Sequence, residues 1–217
     1  MSDIVSAPTA SPWLVVGWFT PDYRHWAERL ARSLDRVGAP YHLLAKDGDP
    51  KGWMANTRRK PLVAEEAMQR FADKTIVLTD VDAEALGDIS AMVATSADVS
   101  AFLKGKLSRK ARAELQLSSR VIVLRPTPRA RQLIADWRAE CARCSADVAD
   151  EAALGIVLAR SEGLTFSPLS ERFAARERDV APPDAALVHD SARDLTLEAF
   201  NLRKLVKRRL ASLRSGG

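Results

Sequence analysis

The triplet Asp80-Val81-Asp82 is the part of the sequence whose residue types and spacing point most directly to chemistry. It closes the run Lys74-Thr75-Ile76-Val77-Leu78-Thr79, apolar and β-branched, which reads as a buried strand. Side chains alternate along an extended chain, so the two aspartates face one way and Val81 the other. Ligands of open α/β sheets gather where strands end at their carboxyl edge. Two carboxylates facing one way at such an edge form a hard oxygen site, suited to magnesium or manganese.

The elements that must position this triplet can be read on either side of it. Residues 1–11 read as a loose tail, and Trp13 to Phe19 as a buried first strand. Thr20-Pro21-Asp22 signals a helix start, with Thr20 as cap. Tyr23, Trp26, Ala27, Leu30, Leu34 and Val37 then recur at helical spacing until Gly38 and Pro40. Tyr41 to Ala45 reads as a second strand, which predicts a parallel pair across a helical crossover. Asp47 to Thr57 reads as a polar loop carrying Trp53, and Pro61 opens a helix with Val63, Ala67 and Phe71 on one face. The Asp-Val-Asp strand follows.

Beyond it, residues 97–103 read as a strand and 104–112 as a mobile basic loop with Lys104, Lys106, Arg109, Lys110 and Arg112. Val121 to Leu124 is another strand. Thr127-Pro128 starts a helix that buries Ala130, Leu133, Ile134, Trp137 and Cys141, and a further helix runs from near Asp150 to near Gly163. Leu164 to Phe166 and Ala185 to Val188 read as late short strands, the second ending in His189-Asp190. Residues 195–210 read as an amphipathic helix with Arg203, Lys204, Lys207, Arg208 and Arg209, in a basic C-terminal segment reaching residue 214. Strands alternating with helices predict a single α/β domain over residues 1–217, Rossmann-like, with a mixed, mostly parallel sheet flanked by helices. Neither Gly-x-Gly-x-x-Gly nor Gly-x-x-x-x-Gly-Lys follows the first strand, so phosphate binding falls to something other than a glycine cradle.

Composition narrows the class. The chain has 217 residues, 47% hydrophobic and 28% charged, as expected of a globular protein with a sizeable core. A formal net charge of +5 suits an anionic partner without separating nucleic acid from a nucleotide or a lipid headgroup. Met1 to Ser11 lacks a basic cluster followed by an apolar core, and no apolar run approaches the ~20 residues of a membrane span, so a cytoplasmic protein is expected. Cys141 and Cys144 are spaced C-x-x-C without a second Cys or His pair and fall late in a helical pattern, which favours two reduced thiols over zinc or redox chemistry.

With these landmarks in order, most of the chain, residues 13 to 190, resembles the GT-A nucleotide-diphospho-sugar transferases, glycosyltransferases of the broad glycogenin-like group. The pieces that carry the resemblance are Val15-Val16-Gly17-Trp18-Phe19-Thr20-Pro21-Asp22-Tyr23, with Ala27, Leu30 and Ser33-Leu34 behind it. Next come Trp53, Asn56-Thr57 and Lys60-Pro61, then Asp80-Val81-Asp82. Later come Val121-Ile122-Val123-Leu124-Arg125-Pro126 with Trp137 in the following helix, then Asp150-Glu151 and Val188-His189-Asp190.

The resemblance implies that Thr20 and Tyr23 hold the base and ribose, with Val81 beside the nucleotide. It implies that Lys60 lies near the nucleotide and Asp80, and that Asp80 faces ribose and metal. Asp82 would bind the metal, His189 would complete its protein ligands, and Asp150 and Glu151 would face the donor sugar or the acceptor. It further implies a Mn2+ or Mg2+ cofactor, a UDP-sugar as the favoured donor, and a glycan, lipid-linked or other small acceptor. One departure is Ser118-Ser119-Arg120, where many relatives open the strand with Asn-x-Gly or Ser-Gly; an arginine there crowds or recharges the acceptor side.

Independent physics asks for the same residue types. Aspartates alone repel a nucleotide diphosphate, whereas a divalent cation between them reverses the sign and neutralises the leaving group. Imidazole is compatible with manganese beside oxygen ligands. An acidic side chain near the sugar C1 can act as a base or stabilise an oxocarbenium-like transition state. Two rival classes remain. A sugar-nucleotide-forming nucleotidyltransferase would show a Gly-rich, Arg/Lys-bearing signature where Trp18-Phe19-Thr20-Pro21-Asp22 stands. A non-enzymatic basic adaptor would use residues 104–112 and 203–209 on nucleic acid or an anionic membrane. No nucleic acid is expected as partner of the transferase, and peripheral contact with the inner membrane face is the functional reading of the C-terminal helix.

Overall fold

The structure is a computed structural model that describes residues 1–7, 10–107, 113–145, 148–176 and 181–190. Ten strands are present among these residues: β1 (Ile4–Val5), β2 (Trp13–Phe19), β3 (Tyr41–Ala45), β4 (Thr75–Thr79), β5 (Ala83–Ala85), β6 (Val99–Leu107), β7 (Ala113–Leu124), β8 (Phe166–Leu169), β9 (Ala175–Arg176) and β10 (Leu187–His189). The helices are α1 (Arg24–Arg36), α2 (Trp53–Thr57), α3 (Lys60–Arg70), α4 (Pro128–Arg143) and α5 (Asp150–Arg160). The fold is mixed α/β. Its central sheet has seven strands in the order β1-β3-β2-β4-β7-β6-β8, and β10 lies between β5 and β9 in a small second sheet.

β2 pairs parallel with both β3 and β4, whereas β7 runs antiparallel to β4 and to β6. The sheet is buried on both faces, so its strands are continuous apolar runs rather than alternating ones. Val15, Leu43, Val77, Val121 and Val123 pack on one face with Leu30 and Leu34 of α1 and with Leu187 of the small sheet. Leu14, Val16, Leu44, Ile76, Leu78, Ile122 and Leu124 pack on the other with α3, α4 and α5. Burying each such side chain contributes about 1.5–3 kcal/mol.

Several boundaries differ from the sequence reading. The N-terminal tail is not loose throughout: Ile4 and Val5 pair antiparallel with Leu43 and His42, and Asp3 accepts from the Ala45 N–H at 2.9 Å and lies 2.7 Å from His42 Nε2. A two-residue strand is too short to show a period, which is why it escaped notice. Asp47 to Thr57 is not all loop, since Trp53–Thr57 forms the short helix α2. Thr20 accepts no side-chain capping hydrogen bond, and a 3-10 turn over Pro21–Tyr23 precedes α1. Lys104 and Lys106 belong to β6 rather than a loop, whereas residues 108–112 and 191–217, with the expected C-terminal helix, lie outside the described residues. The strand expected at Leu164 to Phe166 is Phe166–Leu169, and it runs parallel to β6.

Other punctuation is as the sequence suggests. Gly38 ends α1 at a φ of 68°, which favours glycine. Thr127 caps α4 by accepting from the Ala130 N–H at 3.2 Å. Cys141 is buried on α4, where burial pushes its thiol up to about 11, and Cys144 ends that helix. No helix among the described residues is long and apolar enough to cross a membrane.

Asp98 joins the far side of the sheet. Its carboxylate accepts from the Thr165 N–H and hydroxyl, both at 2.8 Å, and from the Thr127 hydroxyl at 2.7 Å. The Thr165 N–H, foremost, holds this carboxyl below its ordinary 3.8. A group depressed in the folded state stabilises above its unfolded pKa, and that contribution is lost as pH falls through the folded value. Asp98→Asn should therefore lower the melting temperature at pH 7, and the gap from wild type should shrink as pH drops below 3.8. A gap that is constant with pH would show that the charge is immaterial.

Candidate functional site

The parallel strands β2, β3 and β4 end at one edge of the sheet, and antiparallel β7 brings Ser119 and Arg120 to the same edge. Thr79 pairs with Val121, and the Asp80 N–H donates to the Arg120 carbonyl at 3.0 Å. The strand stops at Thr79, so Asp80-Val81-Asp82 is not its last extended segment but a turn, closed by the Ala83 N–H on the Asp80 carbonyl at 3.3 Å. Val81 is buried in the core, while Asp80 and Asp82 are half-buried.

Gly17 of β2 makes this turn possible. A Cβ there would stand 3.0 Å from Val81 Cγ1 and 3.1 Å from the Thr79 carbonyl oxygen, and the backbone oxygen has little room to yield. Gly17→Ala should cost about 1–3 kcal/mol by overpacking, read by denaturant unfolding. Unchanged stability would mean that Val81 is not seated there.

Behind the turn lies a buried ion network. Lys60, at the first turn of α3, is only 6% exposed. Its Nζ is 2.7 Å from Asp80 Oδ1 and 3.5 Å from Asp150 Oδ2, and it donates to the Ser119 carbonyl at 3.0 Å and hydroxyl at 3.3 Å. Burial pulls the lysine pKa down, but Asp150 and then Asp80 more than offset it, so its pKa is raised and the ammonium stays charged. Asp150 opens α5, is 5% exposed, and also accepts from the Ser119 hydroxyl at 2.8 Å. The Trp137 indole donates to the Asp150 carbonyl at 2.9 Å and fixes the helix start. The acidic first turn of α5 complements the positive end of the helix.

Removing one partner of a buried pair leaves an uncompensated charge. Lys60→Met should destabilise the protein by about 3–5 kcal/mol in denaturant unfolding. A loss under about 1 kcal/mol would mean that water already solvates Asp150.

The remaining expected residues fall around this network. Glu151 is half-buried and takes Lys104 of β6 at 2.8 Å. Thr20 is buried at the end of β2, and Tyr23 is half-buried against the α1 core. Val81 gives its side chain to the core, which leaves only its backbone to meet a ligand. His189 ends β10 opposite Ala83 and is 2% exposed, and among the described residues neither ring nitrogen has a hydrogen-bond partner of ordinary geometry. Burial, foremost, and then the positive charges of Arg120 and Lys60 push this imidazole down to about 3, against slight opposition from the Phe173 backbone. It is neutral at physiological pH.

Three residues that the sequence reading did not place in the site hold it together. Arg29 of α1 pairs with Asp190 at 2.7 Å and donates to the Asp82 carbonyl at 3.0 Å, and the Asp190 N–H donates to that same carbonyl at 3.0 Å. Arg29 looks like any solvated helix residue, and its partner is 161 residues away, so no local signal marks it. Ser119 was visible only as part of a departure from the family pattern. Arg120 donates to the Ala174 carbonyl at 3.0 Å and faces Arg176, Glu151, Asp80 and Asp82.

The donor set suits a divalent cation in kind: two carboxylates and a neutral imidazole. Yet the Asp80 carboxylate already meets Lys60, and among the described residues no three His, Cys, Asp or Glu side chains converge as a metal site.

The fold is the GT-A fold of nucleotide-sugar transferases. Over 82% of the chain it is similar to a glycosyltransferase involved in glycosylation of the major capsid of PBCV-1, covering 92% of that chain with a TM-score of 0.63 at 12% identity. It is similar to the galactosyltransferase LgtC, solved with donor and acceptor sugar analogues, over 82% of this chain and 87% of that one, with a TM-score of 0.56 at 12% identity. Against the glycosyltransferase GlyE of Streptococcus pneumoniae TIGR4 the TM-score is 0.60 at 12% identity, over 85% of this chain and 55% of that one. No family model matches the sequence, and no curated protein matches it.

Proposed function

We propose that the protein is a glycosyltransferase that moves a sugar from a nucleotide-diphosphate donor, UDP-linked by preference, to a glycan, a lipid-linked or another small acceptor. The observation that carries this reading is the acidic turn Asp80-Val81-Asp82 at the carboxyl edge of the parallel strands, set against Lys60, Asp150 and Glu151 on a GT-A framework. Asp80, Asp82 and His189 are the residues that would hold a manganese or magnesium ion, whose chemistry there is to neutralise the departing diphosphate. Thr20 and Tyr23 would meet the base and ribose, with Lys60 and the Val81 backbone beside the nucleotide.

The two acids of α5 divide the remaining work. Asp150 is committed to Lys60 and Ser119 and serves to position the network. Glu151 is half-buried, with Lys104 as a partner it can share, so it is the carboxylate left to face the donor sugar or the acceptor hydroxyl. The basic-adaptor alternative is weakened by Lys104, which serves an acid of the site instead of extending a free basic stripe.

Calorimetry with UDP, with and without manganese, on wild type and Asp82→Ala tests the reading. Manganese should tighten UDP binding to wild type by roughly tenfold or more, and Asp82→Ala should lose that gain. Equal affinity in all four conditions would remove the metal bridge.

A further inference from the structure

Among the described residues, the acids and bases of the strand edge are equal in number. Asp80, Asp82, Asp150 and Glu151 are equalled in number, though not paired one to one, by Lys60, Lys104, Arg120 and Arg176. Lys60 already serves two carboxylates, Asp80 and Asp150, and Lys104 serves Glu151. The lysines alone would leave the edge negative; the two arginines remove that excess.

Arg120 is the better placed of the two. Its backbone is pinned to the acidic turn by the Asp80 N–H at 3.0 Å, and its side chain points to the small second sheet, where it donates to the Ala174 carbonyl at 3.0 Å. It is half-buried, and among the described residues no carboxylate lies within ion-pair distance of it. A guanidinium presents five N–H donors in a planar fork that matches phosphate oxygens, and the Ala174 carbonyl takes one of them.

We propose that Arg120 is a resident phosphate ligand: its guanidinium binds the diphosphate of the donor directly, so that nucleoside diphosphate binds without a divalent ion and a metal only adds to it. This rests on the reading of the protein as a nucleotide-sugar transferase and deepens it. The arginine shares the diphosphate with whatever Asp80 and Asp82 hold, and Arg176 supports it from β9. An anionic acceptor is the competing use of the same group, but Arg120 is backbone-linked to Asp80 at the metal-side turn, whereas Glu151 on the sugar side already has Lys104.

The test is calorimetry of wild type, Arg120→Gln and Arg120→Lys with UDP, UMP and uridine, in EDTA and in manganese, beside thermal unfolding of each variant. Wild type should bind UDP in EDTA. Arg120→Gln should weaken that binding by roughly 10- to 100-fold, should lose less in manganese, and should leave uridine unaffected. Arg120→Lys, which keeps the charge and loses the fork, should fall between, and it serves if the glutamine variant does not fold. Wild-type binding of UDP in manganese but not in EDTA overturns the proposal and leaves the transferase reading standing. So does an equal loss for uridine and UDP, which would make Arg120 a structural tie to Ala174. No UDP binding to wild type in either condition overturns both.

Discussion

The whole edge of the sheet depends on one buried ammonium. Lys60 sits where α3, the end of β4, β7 and the start of α5 meet, and it makes a polar contact with each of the last three. These segments are far apart in sequence, and each offers the lysine an oxygen that would be costly to bury alone. Taking Lys60 out of water is unfavourable by itself. It is tolerated because Asp150, Asp80 and Ser119 satisfy the head group together, and because Ser119 in turn satisfies Asp150. The result is a fixed constellation in which Asp150 is held by Lys60 and Ser119 and Asp80 is held at the turn by Lys60.

A second joint sits across the turn. Asp82 offers its backbone carbonyl to both Arg29 and the Asp190 N–H, so the acidic turn is tied to the end of β10 through main chain. Arg29 also lies over the Trp26 ring at 4.3 Å, which restricts it further. His189, one residue before Asp190, is carried into the same neighbourhood but into a dry one, and the nearby cations Arg120 and Lys60 add to burial in keeping it neutral. A neutral imidazole can accept a cation or donate to an anion; a charged one could do only the second.

The frame of the protein was legible in the sequence because its signals are local. Trp13 to Phe19, Tyr41 to Ala45 and Thr75 to Thr79 are strands with few polar interruptions, and the apolar faces of α1 and α4 recur at helical spacing as read. What was not legible depends on contacts made at long range. β1 exists because Asp3 reaches His42 and Ala45, and β7 extends back to Ala113 only because β6 lies beside it. The alternation argument at Asp80 to Asp82 assumed an extended chain, whereas the chain turns there and Val81 packs into the core beside Gly17. Asp150 and Glu151 read as a pair, yet one residue of helix rotation gives them different burial and different partners.

The register of β7 decides the character of the site. Val121 and Val123 pack on one face of the sheet and Ile122 and Leu124 on the other, and both faces are buried. An apolar pattern of that kind does not by itself distinguish one register from the next, because a slip by one residue would exchange valines for isoleucine and leucine. The polar residues at the end of the run do distinguish them. In the observed register Ser119 turns toward Lys60 and Asp150, and Arg120 turns toward Ala174 and the small sheet. A slip would drive a guanidinium into the place of a hydroxyl beside the buried lysine, bringing two cations together in a dry site, and would leave a serine facing the cleft. The same dipeptide that places a hydroxyl on the buried lysine therefore also excludes the alternative pairing, so the arginine cannot be understood as a surface substitution laid over a finished fold.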